Sequence, residues 1–246
     1  MSLASFALRT SKLLQRFPLI HDSIRRVYCV FQPGIRFWVE RTFRNLDEVS
    51  VLKIGANDGV KNDPLADFLL HDQRYHGVLV EPIPSYAKML FANYEETGRF
   101  KIEQAAITAE DGRVTMYYVD ETATDSNGKA IPEWLRGVAS MDRSHVERHV
   151  RPEMYKAIAQ TTVECLALTS LLKRNNIRKI DLLQIDVEGH DYVVLKQFNF
   201  SVIRPQLVIF ERKHLSKEDD LAARMLMEQA GYKTRPLETD YLCMIR

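Results

Sequence analysis

Residues 51–59 read VLKIGANDG, and this stretch decides the predicted fold. The run Val51–Ile54 is mostly apolar, which is typical of a strand buried in a sheet. It ends at Gly55, and a second glycine, Gly59, closes the loop that follows. Because glycine readily adopts positive φ, this pair predicts a tight turn that leads from a strand into a helix.

Similar units follow, because apolar runs alternate with helical patterns along the chain. The predicted strands are Val51–Ile54, Gly77–Val80, Phe100–Ile107, Val114–Val119, Ile180–Ile185 and Leu207–Phe210. The predicted helices are Pro64–Leu70, Ser85–Tyr94 with Ser85 as its cap, Thr169–Asn175, Tyr192–Gln197 and Leu221–Ala230. This alternation predicts an α/β fold with a mostly parallel sheet.

Three regions depart from the alternation. Asp111-Gly112 predicts a hairpin turn before the fourth strand, and residues 120–160 read as an irregular polar segment. Near the end of the chain, Lys233–Pro236 and Tyr241–Ile245 predict an antiparallel hairpin. In a sheet of this kind, ligands bind beyond the carboxyl ends of the strands, so the residues that follow each strand are the candidate site.

The composition fits one globular domain with an N-terminal extension. Of the 246 residues, 46% are apolar and 27% are charged, which excludes a disordered chain, a fibre and a polytopic membrane protein. The net charge of +1 gives no sign of a nucleic-acid partner. The three cysteines are far apart and the sequence has no Cys/His cluster, so neither disulfides nor a structural zinc site is expected. A reducing, cytoplasmic location is therefore favoured.

Most of the positive charge lies in the extension. Residues 1–46 have a net charge of +6, and residues 47–246, the predicted domain, have a net charge of −5. An apolar stripe at helical spacing runs through the extension: Leu13, Phe17, Ile20, Ile24, Val27 and Phe31. Pro18 should interrupt this helix and Pro33 should end it. The extension is a helical pair docked on the domain, a basic segment touching an anionic membrane or partner, or a transit-type leader.

The glycine loop and one acid together favour a nucleoside-bearing cofactor. The spacing of Gly55 and Gly59 is G-x-x-x-G, not the dinucleotide-binding G-x-G-x-x-G, and no phosphate-binding G-K-[ST] follows. Glu81 ends the next strand, where a carboxylate can accept hydrogen bonds from both hydroxyls of a ribose. S-adenosylmethionine is therefore favoured over NAD. The alternatives are an ordinary turn and a solvated acid.

A cluster of ionisable residues follows the strand Ile180–Ile185. Asp186, Glu188, His190 and Asp191 lie in the next six positions, and Gly189 permits a sharp turn between them. A carboxylate at such a strand end could orient a substrate hydroxyl, act as its base or hold a divalent cation. Alternatively, the segment is a polar loop in which Asp191 caps the next helix and His190 is packed.

Three motifs, in this order, resemble the FkbM family of S-adenosylmethionine-dependent methyltransferases. They are Ile54–Gly59 (IGANDG), Val80–Pro82 (VEP) and Ile185–Asp191 (IDVEGHD). The resemblance covers roughly residues 50–245, and the third motif is its most specific part. It implies a Rossmann-like class I methyltransferase fold, with a seven-stranded sheet and helices on both faces. It also implies O-methylation, often of a sugar hydroxyl or of a polyketide-type natural product.

The resemblance also implies a set of cofactor-binding residues. They are Gly55, Ala56, Asn57, Asp58, Gly59, Glu81, Pro82, Ala105, Ala106 and Asp186. The loop would face the methionine part of the cofactor, Glu81 the ribose, and Asp186 the methyl-donor end. Lys53 departs from the family pattern, which usually has an acid two residues before the first glycine. Either Asp58 substitutes for that acid or Lys53 points away.

Methyl transfer to an alcohol needs a base, because the hydroxyl must lose its proton as the new bond forms. The candidates are Glu188 first, then Asp186 and His190. Alternatively, Asp186, Glu188 and Glu211 could hold Mg²⁺, which would lower the pKa of the acceptor hydroxyl.

Residues 120–160 are expected to cover the acceptor pocket and to set specificity. The segment is rich in Arg and His, which would suit an acidic glycan or a phosphorylated acceptor: Arg136, Arg143, His145, Arg148, His149 and Arg151. The sequence therefore favours an O-methyltransferase acting on a saccharide, a glycolipid or a related product. The alternatives are a non-catalytic binding module and, with less support, an NAD(P)-dependent oxidoreductase.

Overall fold

The computed structural model describes residues 34–120, 123–124, 135 and 137–245. The predicted apolar stripe at residues 13–31 and Arg136 lie outside this part of the chain. Within it, the helices are α1 (Ile35–Phe43), α2 (Ala66–His71), α3 (Pro84–Tyr94), α4 (Arg143–His149), α5 (Leu168–Arg174), α6 (Asp191–Leu195) and α7 (Lys217–Gln229).

The strands form two sheets. They are β1 (Val49–Ile54), β2 (Tyr75–Val80), β3 (Phe100–Glu103), β4 (Ala106–Ile107), β5 (Gly112–Val119), β6 (Ala139–Ser140), β7 (Ile158–Leu166), β8 (Leu182–Ile185), β9 (Leu207–Glu211), β10 (Tyr232–Leu237) and β11 (Asp240–Ile245). The main sheet has seven strands in the order β10-β11-β9-β8-β1-β2-β3. β4, β7, β5 and β6 form the second sheet.

The main sheet confirms the predicted α/β fold. β1 pairs in parallel with β2 on one side and with β8 on the other, and β3 and β9 extend the sheet in the same direction. β11 is antiparallel to both β9 and β10, so the predicted C-terminal hairpin is also confirmed. The strand order reverses between β1 and β8, which makes their carboxyl ends the expected place for a ligand.

Helices cover both faces of the main sheet, as the family resemblance implies. Alternate residues of β1 face opposite sides: Leu52 and Ile54 pack into one apolar core, and Val49 and Val51 into the other. Helices α5, α6 and α7 contribute to the first core, and α1, α2 and α3 to the second. α1, which belongs to the predicted extension, is anchored there by its buried Val39 and Phe43 side chains.

The second sheet corrects several predictions. The strand expected at Phe100–Ile107 is divided, because β3 pairs in the main sheet and β4 in the second. Asp111-Gly112 does not form a hairpin turn between paired strands, because β7 lies between β4 and β5 and pairs with both. Residues 120–160 are not simply irregular: their described part contains β6, α4 and the start of β7.

The start of α3 also differs from expectation. α3 begins at Pro84, and the residue before it, Ile83, makes no side-chain cap, so Ser85 is not the cap. The rigid φ of proline suits the first turn of a helix and starts α3 without one. No helix in the described part of the chain is long and apolar enough to cross a membrane.

We expect Gly77→Ala to test how closely β1 and β2 approach. Gly77 has φ of +150°, and a Cβ atom there would lie 1.9 Å from the carbonyl oxygen of Val51. Since strain and steric overlap coincide, the free energy of unfolding should fall by about 3 kcal/mol or more in urea titrations. Gly98→Ala is the matched control, because its φ is also positive but nothing lies within 4 Å. Its free energy of unfolding should fall by about 1 kcal/mol. Equal losses in Gly77→Ala and Gly98→Ala would refute the close approach of β1 and β2.

Candidate active site

A cleft of about 700 Å³ opens at the carboxyl ends of β1, β2 and β8. This size is typical of a site for a small molecule or cofactor. Its walls come from the loops after those strands, the link between β3 and β4, and the described residues between β5 and α4. The cleft therefore lies where the reversal of strand order predicts a ligand site.

The loop after β1 has the tight shape that its glycines predict. Gly55, Asn57 and Gly59 all have positive φ, at 82°, 51° and 72°. A Cβ atom on Gly55 would lie 1.7 Å from the carbonyl oxygen of Asp186, so no larger residue fits at this position. A Cβ on Gly59 would lie 2.5 Å from side-chain atoms of Leu90 and Tyr94. Both glycines are thus required by packing as well as by the turn.

Glu81 is buried behind this loop and organises it. Its Oε2 accepts a hydrogen bond of 2.9 Å from the main-chain N–H of Asn57, and its Oε1 accepts one of 2.9 Å from that of Ile83. Burial outweighs these two bonds and raises the pKa of Glu81 to about 7. The carboxylate lines the cleft, and each oxygen retains a lone pair for a further donor.

Lys53 does not point away from the site, because it lines the cleft while 3% exposed. Its Nζ donates a 2.6 Å hydrogen bond to Oε1 of Gln184 on β8 and lies 3.2 Å from Oδ2 of Asp63. Asp63 therefore brings a carboxylate next to Lys53. Asp58 also lines the cleft, but its Oδ1 accepts hydrogen bonds from the N–H groups of Val60 and Lys61.

Three acids lie at and behind the loop after β8: Asp186 is exposed to the cleft, and Asp191 and Glu211 are buried. Desolvation by the surrounding protein, with the nearby charge of Glu188, raises the pKa of Asp186 to about 7. Burial also raises the pKa of Glu211 to about 10 and that of Asp191 well above its usual value. Asp191 does not cap α6 from outside; it is fully buried in the first turn of that helix, and its Oδ2 accepts a hydrogen bond from the N–H of Gly189.

Glu188 projects into the cleft from a strained position. Its φ is +53°, which is uncommon for a residue with a side chain and is often found at functional sites. Its Oε2 lies 3.1 Å from Nε2 of His145 and 3.5 Å from Nε2 of His214. His214 comes from the loop after β9, and burial lowers the pKa of its imidazole to about 4. A neutral imidazole therefore faces the carboxylate at pH 7.

A third imidazole, that of His149, completes a cluster that the sequence analysis missed. The rings of His145, His149 and His214 have centroids 4.7–4.9 Å apart. The cluster contains no cysteine, and His214 joins the other two only in the folded chain. The spacing of His145 and His149 on one turn of α4 was the available signal, but it lay in a segment predicted to be irregular.

The structure brings the remaining predicted site residues to the same cleft. Ala56, Pro82, Ala105, Ala106 and His190 all line it. Burial lowers the pKa of His190, which precedes α6 and is not part of the histidine cluster. Among the described residues, the group whose ligand atoms could hold a metal ion joins Glu188 to the three histidines, and it does not include Asp186 or Glu211 from the predicted Mg²⁺ set.

Residues associated with both sheets also meet at this cleft. Gly137, Ser140 and Met141 line it from the second sheet, and His214 lines it from the main sheet. A Cβ atom on Gly137 would lie 2.7 Å from Nδ2 of Asn57 in the glycine loop. The wall from the second sheet therefore packs directly on the glycine loop.

Comparisons with known proteins bear on the family of the chain. The sequence model of the FkbM methyltransferase domain family matches residues 53–234. No curated protein matches the chain. One similar solved structure is the methyltransferase FkbM from Methylobacillus flagellatus KT, with 12% identity, a TM-score of 0.49 and coverage of 80% of this chain and 43% of that one.

Two further solved structures are similar at lower TM-scores. Precorrin-6y C5,15-methyltransferase from Geobacter metallireducens GS-15 has 9% identity, a TM-score of 0.45 and coverage of 85% of each chain. The fibrillarin pre-rRNA processing protein from Methanococcus jannaschii has 11% identity, a TM-score of 0.41 and coverage of 80% of this chain and 65% of that one. The chain thus spans less than two thirds of the fibrillarin and FkbM chains.

The chain belongs to the FkbM methyltransferase family, because the family model covers most of its length. This confirms the methyltransferase family that the three motifs predict. The alternative of an NAD(P)-dependent oxidoreductase receives no support from this assignment.

We expect Asp186→Asn to reduce the pH dependence of stability. A carboxyl whose pKa rises on folding, here from 3.8 to about 7, binds a proton more tightly in the folded state. Its contribution is therefore complete below pH 3.8 and is lost as the pH rises to about 7. In urea titrations from pH 4 to 8, the free energy of unfolding of the wild type should fall relative to that of Asp186→Asn. Exposed Asp47→Asn is the control; parallel curves for wild type and Asp186→Asn would exclude a raised pKa.

Proposed function

We propose that the protein transfers the methyl group of S-adenosylmethionine to a hydroxyl of a saccharide, a glycolipid or a related natural product. The observation that carries the proposal is the position of Glu188. Its carboxylate faces the same cleft as the glycine loop and is contacted on one side by imidazoles. A carboxylate beside a cofactor loop is suited to accept the proton that an alcohol loses.

The chain offers groups for each part of the cofactor. The cleft places the loop Gly55–Gly59 beside the carboxylate of Glu81, while Ala105 and Ala106 supply a small apolar wall. Such a wall suits an adenine, and Glu81 suits the ribose hydroxyls. Asp63, which pairs with Lys53, is the acid best placed to face the ammonium of the methionine part. Asp58 is a weaker candidate because its Oδ1 already accepts two main-chain hydrogen bonds.

The bound cofactor would supply a sulfonium methyl group, which is already a strong electrophile. The remaining tasks belong to the protein. The cleft aligns the acceptor oxygen with the methyl carbon, and this positioning is a large part of the catalysis. Glu188 takes the hydroxyl proton, with His145 and His214 orienting its Oε2. Asp186 and His190 also line the cleft and are the next candidates for this role.

The wall from the second sheet would bind the acceptor. His145 and Arg148 line the cleft from α4, and Ser140 and Met141 line it from the segment before that helix. Cationic and polar groups of this kind suit a hydroxyl-rich or acidic acceptor. A glycolipid acceptor would also fit the basic charge of residues 1–46, which could hold the protein at an anionic membrane.

We expect Glu188→Gln to keep cofactor binding and to lose turnover. An amide retains the shape of the side chain but cannot accept the proton, so the rate should fall by about 10²–10⁴-fold. Calorimetry with S-adenosylmethionine and a methyl-transfer assay separate the two effects. Glu153→Gln, an exposed residue before β7, is the control and should match the wild type in both. A wild-type rate in Glu188→Gln would transfer the role to Asp186 or His190.

Labelled S-adenosylmethionine tests the acceptor class directly. The full chain is incubated with the labelled cofactor and fractionated cell extracts, and the label is expected to enter a glycan or glycolipid fraction as a methyl ether. Label in protein or RNA would refute the proposed acceptor. Cofactor binding without transfer to any fraction would instead favour the non-catalytic module.

A further inference from the structure

The three histidines and Glu188 have the arrangement of a metal site. One ligand atom from each of His145, His149, Glu188 and His214 lies within 4.8 Å of every other. They come from three separate parts of the chain: α4, the loop after β8 and the loop after β9. Two histidines one turn apart on a helix are a common pair of metal ligands.

The separations between donor atoms already suit a small tetrahedral ion. Around Zn²⁺, donors at about 2.0–2.1 Å from the ion lie about 3.3–3.4 Å from each other. Oε2 of Glu188 lies 3.1 Å from Nε2 of His145 and 3.5 Å from Nε2 of His214. The ligand atom of His149 lies within 4.8 Å of each of the other three.

A neighbouring group orients one of the ligands. Nδ1 of His149 donates a 2.8 Å hydrogen bond to the carbonyl oxygen of His145, so its Nε2 carries a free lone pair. Oε1 of Glu211 lies 3.6 Å from Nε2 of His214, the same nitrogen that faces Glu188, and so adds a second carboxylate beside the cluster. The guanidinium of exposed Arg148 lies 3.4 Å from Nδ1 of His145, and its flexible side chain can turn to solvent when an ion binds.

We propose that His145, His149, His214 and Glu188 bind one divalent transition-metal ion, with Zn²⁺ as the representative ion. Three imidazoles favour Zn²⁺ and its neighbours in the first transition row over Mg²⁺, which prefers oxygen. Four protein ligands fill a tetrahedral shell, which is the pattern of a structural site. The ion would fasten α4 to the two loops and so fix the acceptor side of the cleft.

This inference goes beyond the proposed function and is compatible with it. Oε2 of Glu188 is the oxygen near the histidines, so Oε1 stays free to accept a proton from the acceptor. Metal binding is measured without cofactor or acceptor. Its failure is therefore distinguishable from the failure of the proposed methyl transfer.

The test is calorimetric titration of Zn²⁺ into the chelator-treated full chain, together with the visible spectrum of the Co²⁺ form. We expect one ion per chain and the intense absorption of tetrahedral Co²⁺. His149→Ala should weaken Zn²⁺ binding by at least about 100-fold, since it removes a ligand outright. His71→Ala, on α2, is the matched control and should bind as the wild type does.

Two outcomes would overturn the proposal. They are equal Zn²⁺ affinity in wild type and His149→Ala, and a Co²⁺ spectrum typical of an octahedral aqua ion. Because His149→Ala could disturb α4, His214→Gln serves as a second variant on a different segment, and circular dichroism checks the fold of both. The wild-type Co²⁺ spectrum requires no variant at all.

Discussion

The contact between Gly55 and the carbonyl oxygen of Asp186 is the constraint on which the rest of the site depends. β1 and β8 are neighbours, and the N–H of Asp186 donates a 2.9 Å hydrogen bond to the carbonyl oxygen of Ile54. The segments that follow β1 and β8 therefore leave the sheet side by side, with no room for a Cβ atom at position 55. This contact brings the glycine loop against the segment that carries Glu188. The glycine loop and the proposed base are thus positioned by one pair of strands.

The site is costly for the folded state, because it buries several acids with few cations. Glu81, Asp191 and Glu211 are buried, and burial raises the pKa of each. Lys53 is the buried cation in their midst, held by Asp63 and Gln184. Apolar cores on both faces of the sheet supply the stability that keeps these groups together. This balance is common in enzymes, where the active site is less stable than its scaffold.

Much of the fold could be predicted because its signals are local. Buried parallel strands such as β8 and β9 are short apolar runs, and Gly55 and Gly59 specify the loop between β1 and α2. The strand predictions were wrong where strands pair with partners that are distant in the sequence. β7 inserts between β4 and β5 although it follows them by dozens of residues in sequence, and no local pattern records that choice.

The same difference between local and non-local signals applies to the site. Glu81 and Glu188 follow predicted strands, and so they could be placed at one sheet edge from the sequence. His145 and His214 could not be paired, because they are far apart in the chain and meet through the docking of α4 on the loop after β9.

The two walls of the cleft come from different sheets. The main sheet carries the glycine loop, and the second sheet carries the opposing wall. Under the proposed function, homologous chains could exchange residues 137–142, which precede α4 in this wall, and so change the acceptor while the half with the glycine loop stayed intact.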